Sequence, residues 1–493
     1  MVDYLRRVLK GGSYYFIGLI IAGVVAYTSR VVLVRNLAPE DYGLFAAMFT
    51  SIAFFLFFRN FGLNISVGKF IPQFKVKKKY SEIKTSVISV LAFQLIISSL
   101  FVVLFWLSAD FLALNYFKDP RASFLIRVFS FYFITSIFFK NLSSFFKGFQ
   151  KNRLQSIIEP VKNISILTMI VVFMYLGYGV LAPVLAYVFA GLILLLLFIY
   201  PVLKTFNFWK YPFKDLTVFK RMFIFGLPVM MTGVGTKFVS YFDTLMLTYF
   251  SGLVEVGAYN IVLPTALLFM LPASAIGAVF MPLISELSAR KDFDRVKTGM
   301  GLLYKYLYMF SAPIIFSLFI FADILIEKLF GSGYLVGTMA FRILLIGVLF
   351  NMLSELNNQY LIGTGFPKQV FWVMFFGSIL NVVLNIFLIP KYGISGAAVA
   401  TSLSYLLMFT ISTSKVLRGT KMKLPLFNWG VLLFGLMAFV GVVSFIKDLV
   451  TWNVWIEGAV SLSIGYIIYL YVLKILGVLD VKEIKSFVRR ITN

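Results

Sequence analysis

The sequence predicts an all-α, polytopic membrane protein of fourteen transmembrane helices, and three observations lead there. First, hydrophobic residues make up 60% and charged residues only 13% of the 493 positions. With a mean hydropathy of +0.94, such a chain cannot present a water-soluble surface. Second, apolar runs recur that are long enough for a hydrocarbon core of roughly 30 Å, which takes about 20 helical residues. Third, lysine and arginine gather in alternate gaps between those runs. The net charge of +25 therefore sets topology and argues for no nucleic-acid partner. The chain has no Cys and no His, which excludes thiolate nucleophiles, disulfides, Cys/His zinc sites and histidine proton relays.

The spans, broken wherever charges, Pro or Gly cluster, are predicted at 13–36, 41–72, 83–107, 121–148, 154–176, 179–203, 220–250, 255–286, 296–322, 336–363, 367–389, 394–415, 425–446 and 453–474. Arg6–Arg7 precede an apolar run too long for a signal-peptide core and without an A-x-A cleavage site, so the first run is read as a retained helix. Basic residues then mark one side: Lys75, Lys77, Lys78 and Lys79, then Lys147, Lys151 and Arg153, Lys204, Lys210 and Lys214, Arg290 and Lys291, and Lys415 and Arg418. The opposite loops offer little beyond Arg35, Lys118, Lys328, Lys391 and Lys447. An even number of spans with both termini cytoplasmic, in the cell membrane, follows from the positive-inside rule.

Sliding the chain against itself by 214 residues aligns Arg6–Arg7 with Lys220–Arg221, Gly12 with Gly226, Asp41 with Glu255, Gly43 with Gly257, and Tyr178–Gly179 with Tyr392–Gly393. One more residue of offset pairs Arg127 with Arg342. Because the matches keep one register and join equivalent helix ends, helices 1–6 and 7–12 are read as copies. Each copy holds an even number of helices, so both insert the same way up, as in transporters that rock about an axis along the membrane normal. The expected domains are a lobe at 1–205, a lobe at 206–417, a helix pair at 418–475 and a basic cytoplasmic tail at 476–493.

A six-plus-six repeat also fits the major facilitator group, but the loop between helices 2 and 3, Lys75-Val-Lys-Lys-Lys-Tyr80-Ser-Glu82, lacks that group's Gly…Asp-Arg…Gly-Arg-Arg pattern. The motifs run elsewhere: Leu37-Ala-Pro-Glu-Asp-Tyr-Gly-Leu44, Phe61-Gly-Leu63 leading to Phe70-Ile-Pro72, and Asn381-x3-Asn385…Ile389-Pro-Lys-Tyr-Gly393-x-x-Gly-Ala-Ala398-x-Ala-Thr401. Over nearly its whole length the chain resembles the polysaccharide-transporter, O-antigen flippase-like branch of the multidrug/oligosaccharidyl-lipid/polysaccharide exporter superfamily, relatives of lipid II flippases. The resemblance implies a V-shaped, two-lobed transporter. Its cargo would be undecaprenyl- or dolichyl-linked oligosaccharide, moved from the cytoplasmic to the outer leaflet beside membrane lipids and glycan-assembly enzymes. It also implies a prenyl-tail groove in the last helix pair.

Ionised side chains inside a bilayer are costly and demand a partner, a cavity or a function. Arg30, Arg59, Arg127, Lys140, Lys162, Lys237, Lys305 and Arg342 fall within the predicted spans, against the acids Glu159, Asp243 and Glu355 and Glu286 near a helix end. Lys162 lies three residues from Glu159, so those two should pair. Arg127 and Arg342 lie near outer helix ends, where snorkelling or pairing competes with a cavity role. Arg30, Arg59 and Lys237 lie deep with no acid nearby in sequence and are the leading candidates to line a cationic cavity, whose guanidinium forks suit phosphate oxygens. The resemblance points the same way, since lipid II flippases line their cavity with arginines on helices 1 and 2. Asn381 and Asn385 share a helix face, and with Asp243 and Thr401 they supply a carboxylate, amide oxygens and a hydroxyl. Those are donors for a small hard cation, against the alternative of a polar helix-packing network. The resemblance implies sodium there as a candidate coupling ion, although Asn stands where such a site has a second acid. No other cofactor is required and no catalysis is expected, because no outer loop or soluble domain is long enough for an enzyme's paired acids. The competing reading is a cation-coupled multidrug exporter of the same superfamily, which predicts deep carboxylates in an apolar chamber.

Overall fold

The structure is a computed structural model that describes residues 2–422, 424–449 and 454–479, excluding the side chains of 2–15, 232–240, 278, 447–449, 454–455 and 457. Among the described residues every regular element is helical, as expected where the bilayer leaves each backbone group to be satisfied within its own segment. The described residues form two compact units, Met1–Ile261 with Leu329–Tyr334, and Val262–Lys328 with Leu335–Asn493.

The first unit opens with α1 (Val2–Asn36), α2 (Pro39–Arg59) and α3 (Leu63–Val76). The single span predicted at 41–72 is thus two helices, because Phe61 and Gly62 take left-handed φ values of 44° and 70°, a region that favours glycine. A Cβ on Gly62 would overlap the Gly226 carbonyl, so glycine is needed there for close approach as well. α4 (Tyr80–Leu107), the short α5 (Ala109–Leu112), α6 (Ala122–Ser130) and α7 (Tyr132–Gly148) follow, then α8 (Asn152–Tyr175), α9 (Leu181–Thr205) and α10 (Thr217–Phe250). α1 lies on α8, where Asn163 donates to the Ala22 carbonyl at 2.8 Å. A core of Leu63, Phe70, Phe146, Ile158, Leu194 and Met222 joins α3, α7, α8, α9 and α10.

α11 (Leu253–Leu267) passes from the first unit into the second. The second unit continues with α12 (Leu271–Ala289), α13 (Phe293–Ile320), α14 (Ala322–Phe330, its last residues counted with the first unit) and α15 (Thr338–Gly363). α16 (Pro367–Thr420) follows, bent where Gly393 adopts φ 53° and ψ −132°. α17 (Leu426–Leu449) and α18 (Val454–Ile475) pack on each other, and Tyr469 of α18 donates to the Met309 carbonyl of α13 at 3.0 Å. An apolar groove beside α17 is lined by Phe427, Gly430, Val431, Phe434 and Leu476. Twelve stretches among the described residues are long and apolar enough to cross a membrane, which makes this a multi-pass membrane protein.

Candidate functional site

Arg59 is 2% exposed on the last turn of α2, the end at which unsatisfied carbonyls favour a cation. Its Nη1 donates to the Phe133 carbonyl and, at 2.8 Å, to the Ser136 hydroxyl of α7. Its Nε is buried without a hydrogen-bond partner, and an orphaned buried donor costs about 1–3 kcal/mol. Arg30 is half-buried on α1, reaches the Tyr42 hydroxyl and lies within electrostatic reach of Tyr187. Tyr187 packs edge-on to Tyr132 with ring centroids 5.6 Å apart, and Tyr132 lies within electrostatic reach of Arg59. The first unit therefore carries two guanidinium groups joined by a run of tyrosines from α2, α7 and α9. Among the described residues neither arginine forms an ion pair with a carboxylate.

Arg127 and Arg342 stand differently. Arg127 donates to Asp110 at 2.7 Å and lies 5.5 Å from the Trp106 ring centre. Arg342 donates to Asp323 at 2.8 Å and to the Phe319 carbonyl at 3.0 Å, and lies 5.7 Å from the Phe319 ring. Each unit thus holds the same clamp of arginine, aspartate and aromatic ring. Lys162 meets Glu159 at 3.0 Å and lies over the Phe139 ring, the pair anticipated from their spacing. Lys237 belongs to α10, but its side chain lies outside the described residues, as does most of the basic tail.

Of the four proposed cation ligands, Asp243 lies in the first unit, fully buried, and accepts from the buried Tyr259 hydroxyl. In the second unit Asn381 donates to Thr401 at 3.1 Å and Asn385 to Asn381 at 3.2 Å, all three at 0% exposure. The bend at Gly393 folds the two arms of α16 so that residues twenty apart meet. Among the described residues no group of three or more acidic side chains converges on a metal position. Tyr42, Tyr132, Tyr187 and Tyr259 had no sequence signal of their own, since nothing distinguishes them among 26 tyrosines.

A helical membrane transporter is the class that this fold and these buried polar groups define. The chain matches the polysaccharide biosynthesis protein family over residues 8–288, more than half its length, and belongs to that family, a branch of the multidrug/oligosaccharidyl-lipid/polysaccharide exporter superfamily; residues 228–387 also match the MatE family. It is 28% identical to an uncharacterized membrane protein of Methanocaldococcus jannaschii over 98% of this chain and 99% of that one. It is 24% identical to a putative O-antigen transporter of Shigella flexneri over 81% and 95% of the two chains. The solved structure of the lipid II flippase MurJ in its inward closed conformation superposes with a TM-score of 0.75 at 17% identity, covering 94% of this chain and 98% of that one, a likeness of fold.

Proposed function

We propose that the protein is a flippase that carries a prenyl-diphosphate-linked oligosaccharide from the cytoplasmic to the outer leaflet of the cell membrane by alternating access, without catalysing chemistry. The observation that carries this reading is the pair Arg30 and Arg59, buried or half-buried in the first unit with hydroxyl and carbonyl partners in place of carboxylates. Guanidinium groups of that kind match the oxygens of a diphosphate and repel cationic drugs. The family and the putative O-antigen transporter among its relatives support the cargo class. Lys237 would add a third cation. The apolar groove beside α17 is suited to the prenyl chain, which would stay in the bilayer while the head group crosses. With the cell interior negative, moving roughly two negative charges outward would gain up to about 4–5 kcal/mol per 100 mV.

The helices are read as fourteen crossings, with α16 counted as two and α10 added to the apolar stretches. They form repeats at 1–205 and 206–417 and a further pair at 418–475, both termini being cytoplasmic by the lysine and arginine distribution. The duplicated arginine clamps support the repeat. Sodium is the proposed coupling ion on the chemistry of its candidate ligands, Asp243, Asn381, Asn385 and Thr401. Their oxygens suit a small hard cation, and one carboxylate gives a low charge. Glycan-assembly enzymes are the proposed partners. The deciding experiment reconstitutes the purified protein in vesicles and measures transfer of a fluorescent prenyl-diphosphate oligosaccharide. A protein that bound cationic dyes and left this substrate untouched would be a drug exporter instead.

A further inference from the structure

We infer that the first unit carries a subsite for the acetamido group of an N-acetylated sugar, at the break between α2 and α3. Four amide side chains form a chain there. Asn141 of α7 donates through Nδ2 to the Ile137 carbonyl at 2.9 Å and to Gln94 Oε1 of α4 at 2.6 Å. Gln94 Nε2 donates in turn to Asn60 Oδ1, on the residue that caps α2, and to Asn64 Oδ1 of α3, both at 3.2 Å. Asn60 Oδ1 also accepts the Asn64 backbone N–H at 3.3 Å. A backbone carbonyl at one end, which must face nitrogen, and a backbone N–H at the other, which must face oxygen, fix the orientation of every amide between them. The oxygens of Gln94, Asn60 and Asn64 are thus spent inside the chain, and the groups left at the break are the amide nitrogens of Asn60 and Asn64. Asn64, 7% exposed, has its Nδ2 buried without a hydrogen-bond partner. So is the hydroxyl of Ser98, at 0% exposure one helical turn beyond Gln94 on the same face of α4.

An acetamido group answers that pattern. Its carbonyl accepts from Asn64, adding one link to a run of amide-to-amide hydrogen bonds in which each bond polarises the next, and its N–H donates to the Ser98 hydroxyl. The donors are neutral and suit a neutral carbonyl, whereas an anion is better held by the guanidinium of Arg59. Arg59 directly precedes Asn60, so a diphosphate held by that arginine has its attached sugar beside the break. Asn60 and Asn141 are half-buried, so the chain of amides reaches the surface of the unit at both, and the sugar enters from that edge. Helix packing alone does not account for the chain. An amide network needed only to hold a six-helix bundle together would be needed in both copies, yet 214 residues on stand Ser274, Ala278, Tyr308, Ala312 and Glu355.

This inference rests on the flippase reading and names a sugar for its cargo. The test titrates soluble probes into detergent-purified protein by calorimetry: UDP-N-acetylglucosamine, UDP-glucose and UDP-glucuronic acid, then diacetylchitobiose and cellobiose, which carry no phosphate. UDP-N-acetylglucosamine should bind about tenfold more tightly than UDP-glucose, the effect of well-made neutral hydrogen bonds. Ser98→Ala removes a hydroxyl that makes no hydrogen bond in this structure, so that variant should melt as the parent does while the preference falls severalfold. Asn64→Ala should erase the preference. Equal affinity for the nucleotide sugars, or a preference for UDP-glucuronic acid, would overturn the subsite and leave the diphosphate reading standing. An unchanged preference in folded Ser98→Ala protein would overturn it as well. Binding of diacetylchitobiose over cellobiose, weakened in Ser98→Ala, by a protein that ignores every UDP sugar would keep the subsite and sink the diphosphate cargo. A protein that distinguishes none of the probes would have no such subsite.

Discussion

Arg127 and Arg342 each reach an aspartate and an aromatic ring at the end of the preceding helix hairpin, whereas Arg30 and Arg59 meet a tyrosine hydroxyl, a serine and a backbone carbonyl. All four are arginines in apolar helices, yet the first two have their charge balanced locally and the second two do not. Depth in the span separates the two pairs in the same way, and the partner supplies the physical reason. A guanidinium already paired with a carboxylate has little left for a substrate phosphate, while one held by neutral acceptors keeps its full charge.

The comparison breaks most directly at Arg30. Arg30→Ala should lower flipping at least about a hundredfold with folded protein still in the membrane, the cost of about 3 kcal/mol for losing charge-assisted hydrogen bonds to a phosphate. Arg30→Lys should recover only part of it, since an ammonium cannot form the fork. Normal transport by Arg30→Ala and Arg59→Ala vesicles alike would remove the cationic site. Arg59→Ala should in addition reduce thermal stability, by about 1–3 kcal/mol, because it removes the buried charge-assisted hydrogen bonds to the Phe133 carbonyl and the Ser136 hydroxyl. A stable but inactive Arg59→Ala protein would show that substrate, and not the bundle, is what this residue chiefly serves.

Smaller effects sharpen the other side. If sodium binds, it should raise the melting temperature of detergent-purified protein saturably where potassium does not, by the equivalent of about 1.4 kcal/mol at ten times Kd. Asn385→Ala should abolish the difference, and an absent sodium effect in the parent returns these residues to a packing network. Arg127→Ala and Arg342→Ala should leave flipping within about twofold and cost no more than about 1 kcal/mol of stability, the range for part-exposed ion pairs. A severe transport defect in either would place it with Arg30 after all. The least effect concerns acid. Burial pushes the Asp119 carboxyl up, but hydrogen bonds from the Arg121 side chain and amide outweigh it and hold the group below the usual carboxylate range. Its stabilisation is thus present above the ordinary aspartate pKa of about 3.9 and is lost as pH falls below it. Melting curves from pH 5 to pH 3 should show a steeper loss in the parent than in Asp119→Asn.

Much of this was legible before any packing was known. Hydropathy located the helices because a transmembrane helix satisfies its own backbone and needs only a local run of apolar residues. The motif Phe61-Gly-Leu63 stood at the break between α2 and α3, although a span of uninterrupted hydropathy hid the break itself. The Glu159–Lys162 pair was legible because three residues on a helix face are neighbours in any context. The same holds for Asn381 and Asn385, whose four-residue spacing put them together.

The amino-acid sequence by itself determined what depends on near neighbours: an all-helical membrane protein, the approximate spans and the arginines that fall within apolar runs. Only the tertiary structure decided which of those arginines are neutralised. Asp110 and Asp323 come within reach of Arg127 and Arg342 only after the chain has turned and sent a second helix back beside the first. It also chose Tyr42, Tyr132 and Tyr187 from 26 tyrosines, because contacts between distant segments are set by the packing of helices whose individual stability says nothing about which faces will meet.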